Sequence, residues 1–273
     1  MSTIQTDFIT RFHYLIIRLA TKILPESQFI YSLCRLYIDR INGDNNFNIK
    51  TNGEQYLLEK YLPESTVVFD VGANVGDWAS QALAIKPGIR LHCFEPSKWT
   101  YEHLIGNNFP PNVICNNVGC GETTSELTLY SIGNEKVSTL KSLFKRNNLG
   151  HLGLSAEYSM EKVAIISLDE YCELHKIERI DIVKIDVEGF ELQVIKGMKK
   201  ILAEERVRIV QFEYGGTYID SRTFLADIWE TVLTINPNYL FYKLHRKGLK
   251  HVAEYSPLLE NFQLQNWAII KKT

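Results

Sequence analysis

The sequence predicts an α/β fold: an open, mainly parallel sheet of Rossmann-like type, preceded by a helical appendage. Three observations predict it. Residues Val67–Asp77 (VVFDVGANVGD) run an apolar strand into a turn spaced by Gly72 and Gly76. Such a sheet presents a nucleotide-like ligand on this kind of turn, at its carboxyl edge. A second apolar stretch, Ile89–Phe94, ends in Glu95, and strand-like and helix-like stretches alternate along most of the remaining chain. That alternation is what a parallel sheet with crossover helices requires.

At the N-terminus, Phe8, Phe12, Leu15, Leu19 and Ile23 recur at helical spacing, and Phe29, Leu33, Leu36 and Arg40 form a second stripe beyond Pro25. Arg11, His13, Arg18 and Lys22 interrupt the first stripe. It is therefore too short an apolar run for a membrane span and unlike a signal peptide. These helices are expected to pack on the main domain or on a second copy of the chain. Their polar face is basic, yet the arginines are few for attachment to a membrane surface. Gly43–Asn48 (GDNNFN) is a polar, turn-rich linker. The boundary is placed near Asn52, dividing an appendage (1–52) from the main domain (53–273).

A helix through Gln55–Tyr61 leads to Pro63, and the strand Thr66–Asp70 enters the glycine turn. Trp78, Ala82 and Ile85 then recur at roughly helical spacing over 77–85. The strand Ile89–Glu95, a helix over 97–107 and the strand Val113–Asn117 follow. Leu127–Tyr130 and Val163–Leu168 alternate like strands around a long segment, Ser131–Glu161, rich in Gly, Asn, Ser and Lys. Loops of that length in compact domains are usually functional or mobile. The strand Ile180–Asp186, a helix over 188–203 and the strand Arg208–Glu213 resume the pattern. Tyr239–Leu244 and Asn266–Lys271 close the sheet, with an antiparallel sense allowed for this last pair.

Bulk properties narrow the function. The 273 residues suffice for one large domain plus an appendage, and 45% hydrophobic with 23% charged residues is ordinary for a globular protein. A net charge of −2 gives no basis for nucleic-acid binding. The five cysteines (Cys34, Cys93, Cys115, Cys120, Cys172) contain no C-x-x-C pair, and a reducing cytoplasm is the simplest setting.

The turn chemistry chooses the ligand. A dinucleotide site needs G-x-G-x-x-G and a helix N-terminus free to receive a pyrophosphate. Here Asp77 stands where the third glycine would fall, and Asp70 adds a second negative charge before the turn. Two acids flanking the turn suit a cationic ligand, and S-adenosylmethionine carries both an ammonium and a sulfonium. A nicotinamide oxidoreductase is the alternative; another is a non-catalytic module that keeps the cofactor fold and docks a partner. A P-loop is excluded, since no G-x-x-x-x-G-K-[ST] occurs.

The ordered set VVFDVGANVGDWA, FEP (Phe94–Pro96), NNVGCGE (Asn116–Glu122) and IDIVKIDVEGFELQVIKGM (Ile180–Met198) resembles the FkbM-type methyltransferases. SLDEY (Ser167–Tyr171) and FEY (Phe212–Tyr214) also look like that family, and the likeness runs from Gly53 to the C-terminus. The resemblance implies a class I methyltransferase fold, with a seven-stranded sheet, helices on both faces and a reversed last strand. It also implies methyl transfer from S-adenosylmethionine, usually to oxygen on sugars, glycans or natural products. Asn74 stands where many methyltransferases carry a middle glycine, and asparagine tolerates unusual backbone angles.

By their places at strand ends, Asp70, Gly72, Asn74 and Gly76 are expected to form the methionine side of the cofactor site. Glu95 would form the ribose side, and Asn117 would either flank the adenine or serve only as a turn residue. Asp186 and Glu188 end the fourth main strand and Glu213 the fifth, so neighbouring strands would bring three carboxylates together. One of them could be the general base. Alternatively Asp186 and Glu213 could hold Mg²⁺ or another divalent cation, or Asp186 and Glu188 could only cap the following helix. His151 and His245 are further candidate bases. Lys184 is expected to be an ordinary strand residue, and Glu191 to be solvated. Lys141, Lys145 and Arg146 could meet an anionic acceptor, and Tyr214, Tyr218 and Trp229 either stack on a ring or fill the core. The partner expected is a small-molecule or glycan acceptor.

Overall fold

The computed structural model describes residues 14–132, 141–145 and 158–272. The chain forms two compact units that divide between Asp44 and Asn45, ahead of the boundary expected near Asn52. Asn45 already belongs to the larger unit, for its N–H donates to the Leu264 carbonyl at 2.8 Å.

The first unit holds a helix over residues 14–23 (α1) and α2 (Gln28–Asn42), which stops at Gly43 in the left-handed conformation. Gln28, Ser32, Arg35, Asp39 and Asn42 form a polar stripe at helical spacing along α2. No residue of α2 is buried, and Phe29, Leu33, Leu36, Tyr37 and Ile41 are all exposed. Phe8 and Phe12, which open the expected first stripe, lie outside the described residues.

In the second unit, α3 (Glu54–Tyr61) precedes β1 (Val67–Val71), α4 (Asp77–Ile85), β2 (Arg90–Phe94), α5 (Lys98–Gly106) and β3 (Val113–Asn116). A side sheet follows, in the order β4–β6–β5, from β4 (Gly119–Cys120), β5 (Ser125–Ile132) and β6 (Tyr158–Ile166). Next come α6 (Leu168–Leu174), β7 (Ile180–Ile185), α7 (Glu191–Lys196), α8 (Lys199–Ala203) and β8 (Val207–Tyr214). The chain ends through α9 (Thr217–Ser221), α10 (Leu225–Ile235), β9 (Tyr239–His245), β10 (Gly248–Val252) and β11 (Gln265–Lys271).

The main sheet has eight strands in the order β10–β9–β11–β8–β7–β1–β2–β3. β3, β2, β1, β7 and β8 run parallel, and β11 lies antiparallel between β8 and β9. The reversed last strand is as expected. The eighth strand is β10, a short hairpin return on β9 whose sequence GLKHV is too mixed in polarity to read as a strand. The helix expected over 188–203 is instead two helices. They part at Gly197, where a Cβ would fall 2.0 Å from the Gly121 carbonyl oxygen.

Both faces of the sheet are buried, which explains the nearly unbroken apolar strands. Phe69, Val71, Phe94, Val183 and Ile185 pack on one side with residues of α6, α7 and α10. Val68, Leu91, Cys93 and Ile182 pack on the other with α3 and α4. Period-two alternation therefore turns Asp70 and Lys184 toward the side of α3 and α4.

Candidate active site

The β1–α4 turn is built by residues that accept a left-handed backbone. Gly72 (φ +80°), Asn74 (φ 50°) and Gly76 (φ +94°) all lie there. A Cβ on Gly72 would sit 1.9 Å from the Asp186 carbonyl oxygen, so only glycine lets β1 and β7 close at this point. Gly76 is tight against Leu104 and Asn107 of the α5 region rather than against the cleft.

Glu95, just past β2, reaches back to this turn. Its Oε2 accepts the Asn74 N–H at 3.1 Å and its Oε1 the Ser97 N–H at 2.9 Å. Burial pushes the carboxyl up to about 7, against the pull of those two N–H groups and of Lys141. Each oxygen keeps a lone pair for a further donor, which fits a carboxylate that receives a pair of ribose hydroxyls.

Asp70 stands differently from expectation. It is fully buried and does not line the cleft, and Lys184 Nζ meets its Oδ1 at 3.1 Å. The same ammonium lies 3.5 Å from Asp186 Oδ2 and donates to the Gly72 carbonyl at 3.2 Å. Burial alone would discharge this lysine, but Asp70, Asp186 and Glu54 together hold it charged. Lys184 is therefore not an ordinary strand residue. It neutralises the acid that the turn pattern assigned to a cationic ligand.

The stretch DVEGFE folds into a tight loop. Glu191 is almost fully buried, not solvated, and its Oε1 accepts the N–H groups of Val187 (3.1 Å) and Gly189 (3.3 Å). Burial raises this carboxyl to about 8. The clamp holds Glu188 (φ 58°) and Gly189 (φ +101°) in consecutive left-handed conformations. α7 begins only at Glu191, so Asp186 and Glu188 stand ahead of the helix and do not cap it.

These elements surround a cleft of about 460 Å³. Gly72, Asn74, Asp77, Glu95, Asp186 and Glu188 line it; Glu54, Trp78 and Phe190, among others not expected at the site, line it too. Lys141 and Leu143 reach it from the long segment between β5 and β6. Ser142 ties that segment down through a two-way backbone bridge to Tyr130 and an Oγ bond to the Glu188 carbonyl at 2.8 Å. Lys141 Nζ donates to Ser97 Oγ (2.6 Å) and Thr100 Oγ1 (3.1 Å).

Other expected site residues fall elsewhere. Gly76 and Asn117 do not line the cleft; the exposed Asn117 donates to the carbonyls of Glu95 and Pro96, the turn role weighed for it. Glu213 lies one step beyond the register pair Ile185–Phe212, beside Asp186, but outside the cleft wall. Burial, with Asp186, Glu188 and Glu191 adding to it, raises its carboxyl well above the usual range. His245 ends β9 and does not line the cleft. His151 and Arg146 lie outside the described residues. Trp229 stacks on Phe241 at 3.9 Å, and Tyr214 and Tyr218 are buried, so all three serve the core.

The residues do not fit a divalent cation at Asp186 and Glu213. Among the described residues no cluster of three or more His, Cys, Asp or Glu side chains could hold a metal. The Lys184 ammonium beside Asp186 would also repel one.

The strand order, the reversed β11 and the glycine turn at the carboxyl end of β1 define a class I, Rossmann-like methyltransferase fold. Residues 70–263 match the methyltransferase FkbM domain, and the chain belongs to that family. It is 28% identical over 173 residues to hexuronic acid methyltransferase AglP of Haloferax volcanii, covering 60% of this chain and 64% of that protein. It is 27% identical to 2-O-methyltransferase NoeI of Sinorhizobium fredii (58% and 66% covered). With 31-O-demethyl-FK506 methyltransferase FkbM of Streptomyces tacrolimicus the identity is 26% (50% and 61% covered). The chain thus spans just under two thirds of the length of these curated relatives. Among the described residues no helix is long and apolar enough to cross a membrane.

Proposed function

We propose that this chain transfers a methyl group from S-adenosylmethionine to a hydroxyl oxygen on a sugar, glycan or natural product. The observation that carries the reading is Glu95. Its carboxylate is fastened to the Asn74 N–H of the glycine turn and faces the cleft, where a nucleoside's ribose is held in sheets of this type. Asp77 at the start of α4 is exposed and lines the same cleft, which argues against a pyrophosphate and hence a nicotinamide dinucleotide. Two of the relatives are named for methylation at 2-O and 31-O positions and a third for a hexuronic acid, which supports an oxygen acceptor on a sugar or natural product.

Gly72, Ala73 and Asn74 would lie along the amino-acid end of the cofactor and Glu95 would bind its ribose. When bound, the cofactor supplies an electrophilic methyl group. Asp186, in the cleft and fixed by Lys184, would accept the proton of the acceptor hydroxyl. Leu143 and Phe190 would exclude water around it.

Calorimetry with S-adenosylmethionine and NADH tests the cofactor: binding of the first alone is expected, and binding of NADH alone overturns the reading. Release of labelled methyl into a panel of hexuronic-acid, amino-sugar and macrolide acceptors tests the reaction.

A further inference from the structure

Glu54 opens α3, ahead of the residues that match the family, yet its side chain lines the same cleft as Gly72, Asn74 and Asp186. Its position is fixed from two directions. Gly53, at φ +101°, is so close to β9 that a Cβ would fall 2.7 Å from the His245 nitrogen, which pins the start of α3 to the sheet. Asn52 then fastens the residue reciprocally: its Oδ1 accepts the Glu54 N–H at 3.0 Å and its Nδ2 donates to Glu54 Oε1 at 3.2 Å.

The charge arrangement around it is unbalanced. Lys184 feels Asp70, Asp186 and Glu54 together, three carboxylates around one ammonium. Lys184 is in ion-pair contact with Asp70 and Asp186, while Glu54 has a neutral amide as its side-chain hydrogen-bond partner. Asp70, beneath the turn, is screened from the cleft by burial. Glu54 lines the cleft and, among the described residues, no ion-pair partner lies against it; Glu95, by contrast, is already engaged by two backbone N–H groups, and Asp77 stands exposed at the start of α4. A half-buried carboxylate in that state is stabilised by an incoming cation.

Resting on the S-adenosylmethionine reading above, we propose that Glu54 receives the α-ammonium of the cofactor's amino-acid end and so selects a ligand that carries one. The residue is a binding and specificity determinant; the acceptor's proton goes elsewhere.

The test is calorimetry on the full chain with S-adenosylhomocysteine and with its analogue in which the amino group is replaced by hydrogen. The native protein is expected to prefer the amino compound by about tenfold or more, the scale of one charge-assisted hydrogen bond. Glu54→Gln is expected to bind both compounds alike, with unchanged affinity for the deaminated one. Equal weakening toward both compounds, or a preference that survives in Glu54→Gln, overturns the proposal. If Glu54→Gln does not fold, the native chain still decides, because equal affinity for the two compounds also overturns it. A native chain that binds neither compound but binds NADH refutes the cofactor reading itself.

Discussion

Lys184 Nζ stands 3.1 Å from Asp70 Oδ1 across the parallel pair β1–β7, where the two residues are direct register partners. The pair lies under the glycine turn, and Lys184 also donates to the Gly72 carbonyl. One buried ammonium thus joins the acid of β1, the turn and Asp186. Removing one partner of a buried pair leaves an uncompensated charge, which costs far more than the pair is worth.

Lys184→Met is therefore expected to destabilise the protein by about 3–5 kcal/mol, the range for a broken buried ion pair. Adding Asp70→Asn should restore part of the loss. Urea unfolding of both variants measures this; a single mutant as stable as the native chain would show that the pair carries no stability.

Glu95→Ala removes the carboxylate that faces the cleft and orphans the Asn74 N–H. Affinity for S-adenosylmethionine should fall at least about tenfold, since a charged acceptor with two donors is lost. Unchanged affinity by calorimetry would take Glu95 out of the ribose site.

Asp186→Asn keeps the shape of the side chain and removes its basicity. With any acceptor the native chain methylates, turnover should drop about 10²–10⁴-fold, the usual contribution of a positioned base, while cofactor still binds. Near-native turnover would assign the proton to another group.

Glu54 gives a pH signature. Burial first, then Asp186 and Asp70, raise its carboxyl to about 7, while Lys184 and the Asn52 amide oppose the rise. An ammonium ligand favours the ionised form, so binding releases a proton wherever Glu54 is protonated beforehand. Affinity for S-adenosylhomocysteine should accordingly weaken as pH falls through about 7, approaching tenfold per pH unit below it. Glu54→Gln should make that limb shallower between about pH 5.5 and 7, leaving the share of Glu95, whose carboxyl is also raised to about 7.

Glu191→Ala strips the acceptor from a buried N–H (Gly189) and a partly buried one (Val187), which should cost about 1–3 kcal/mol. It should also let Glu188 and Gly189 leave the left-handed region. Hydrogen exchange at Val187 and Gly189 reads the loosened loop directly.

The sequence reveals local features well and the pairing of distant charges poorly. β1, α4 and β2 appear where apolar runs and glycines put them, because those signals are written within a few residues. Asn74 adopts its left-handed backbone as its chemistry suggests. Lys184 reads as an ordinary strand residue and Glu191 as solvated because a lone charge in an apolar strand or helix start has no local sign of its buried partner. Glu54 is illegible as a site residue because its place in the cleft depends on Gly53 packing against β9, close to two hundred residues along the chain. That His245 does not line the cleft is likewise illegible, because which strand ends face the cleft is a matter of strand order, which periodicity does not encode.

The bond from Ser142 to the Glu188 carbonyl has a wider consequence. It makes the wall contributed by Lys141 and Leu143 a dependent of the loop that carries Asp186 and Glu188. In the proposed enzyme that hydroxyl, with the Tyr130 bridge, would join acceptor recognition to reactivity, so engineering a new substrate range should begin by leaving it in place.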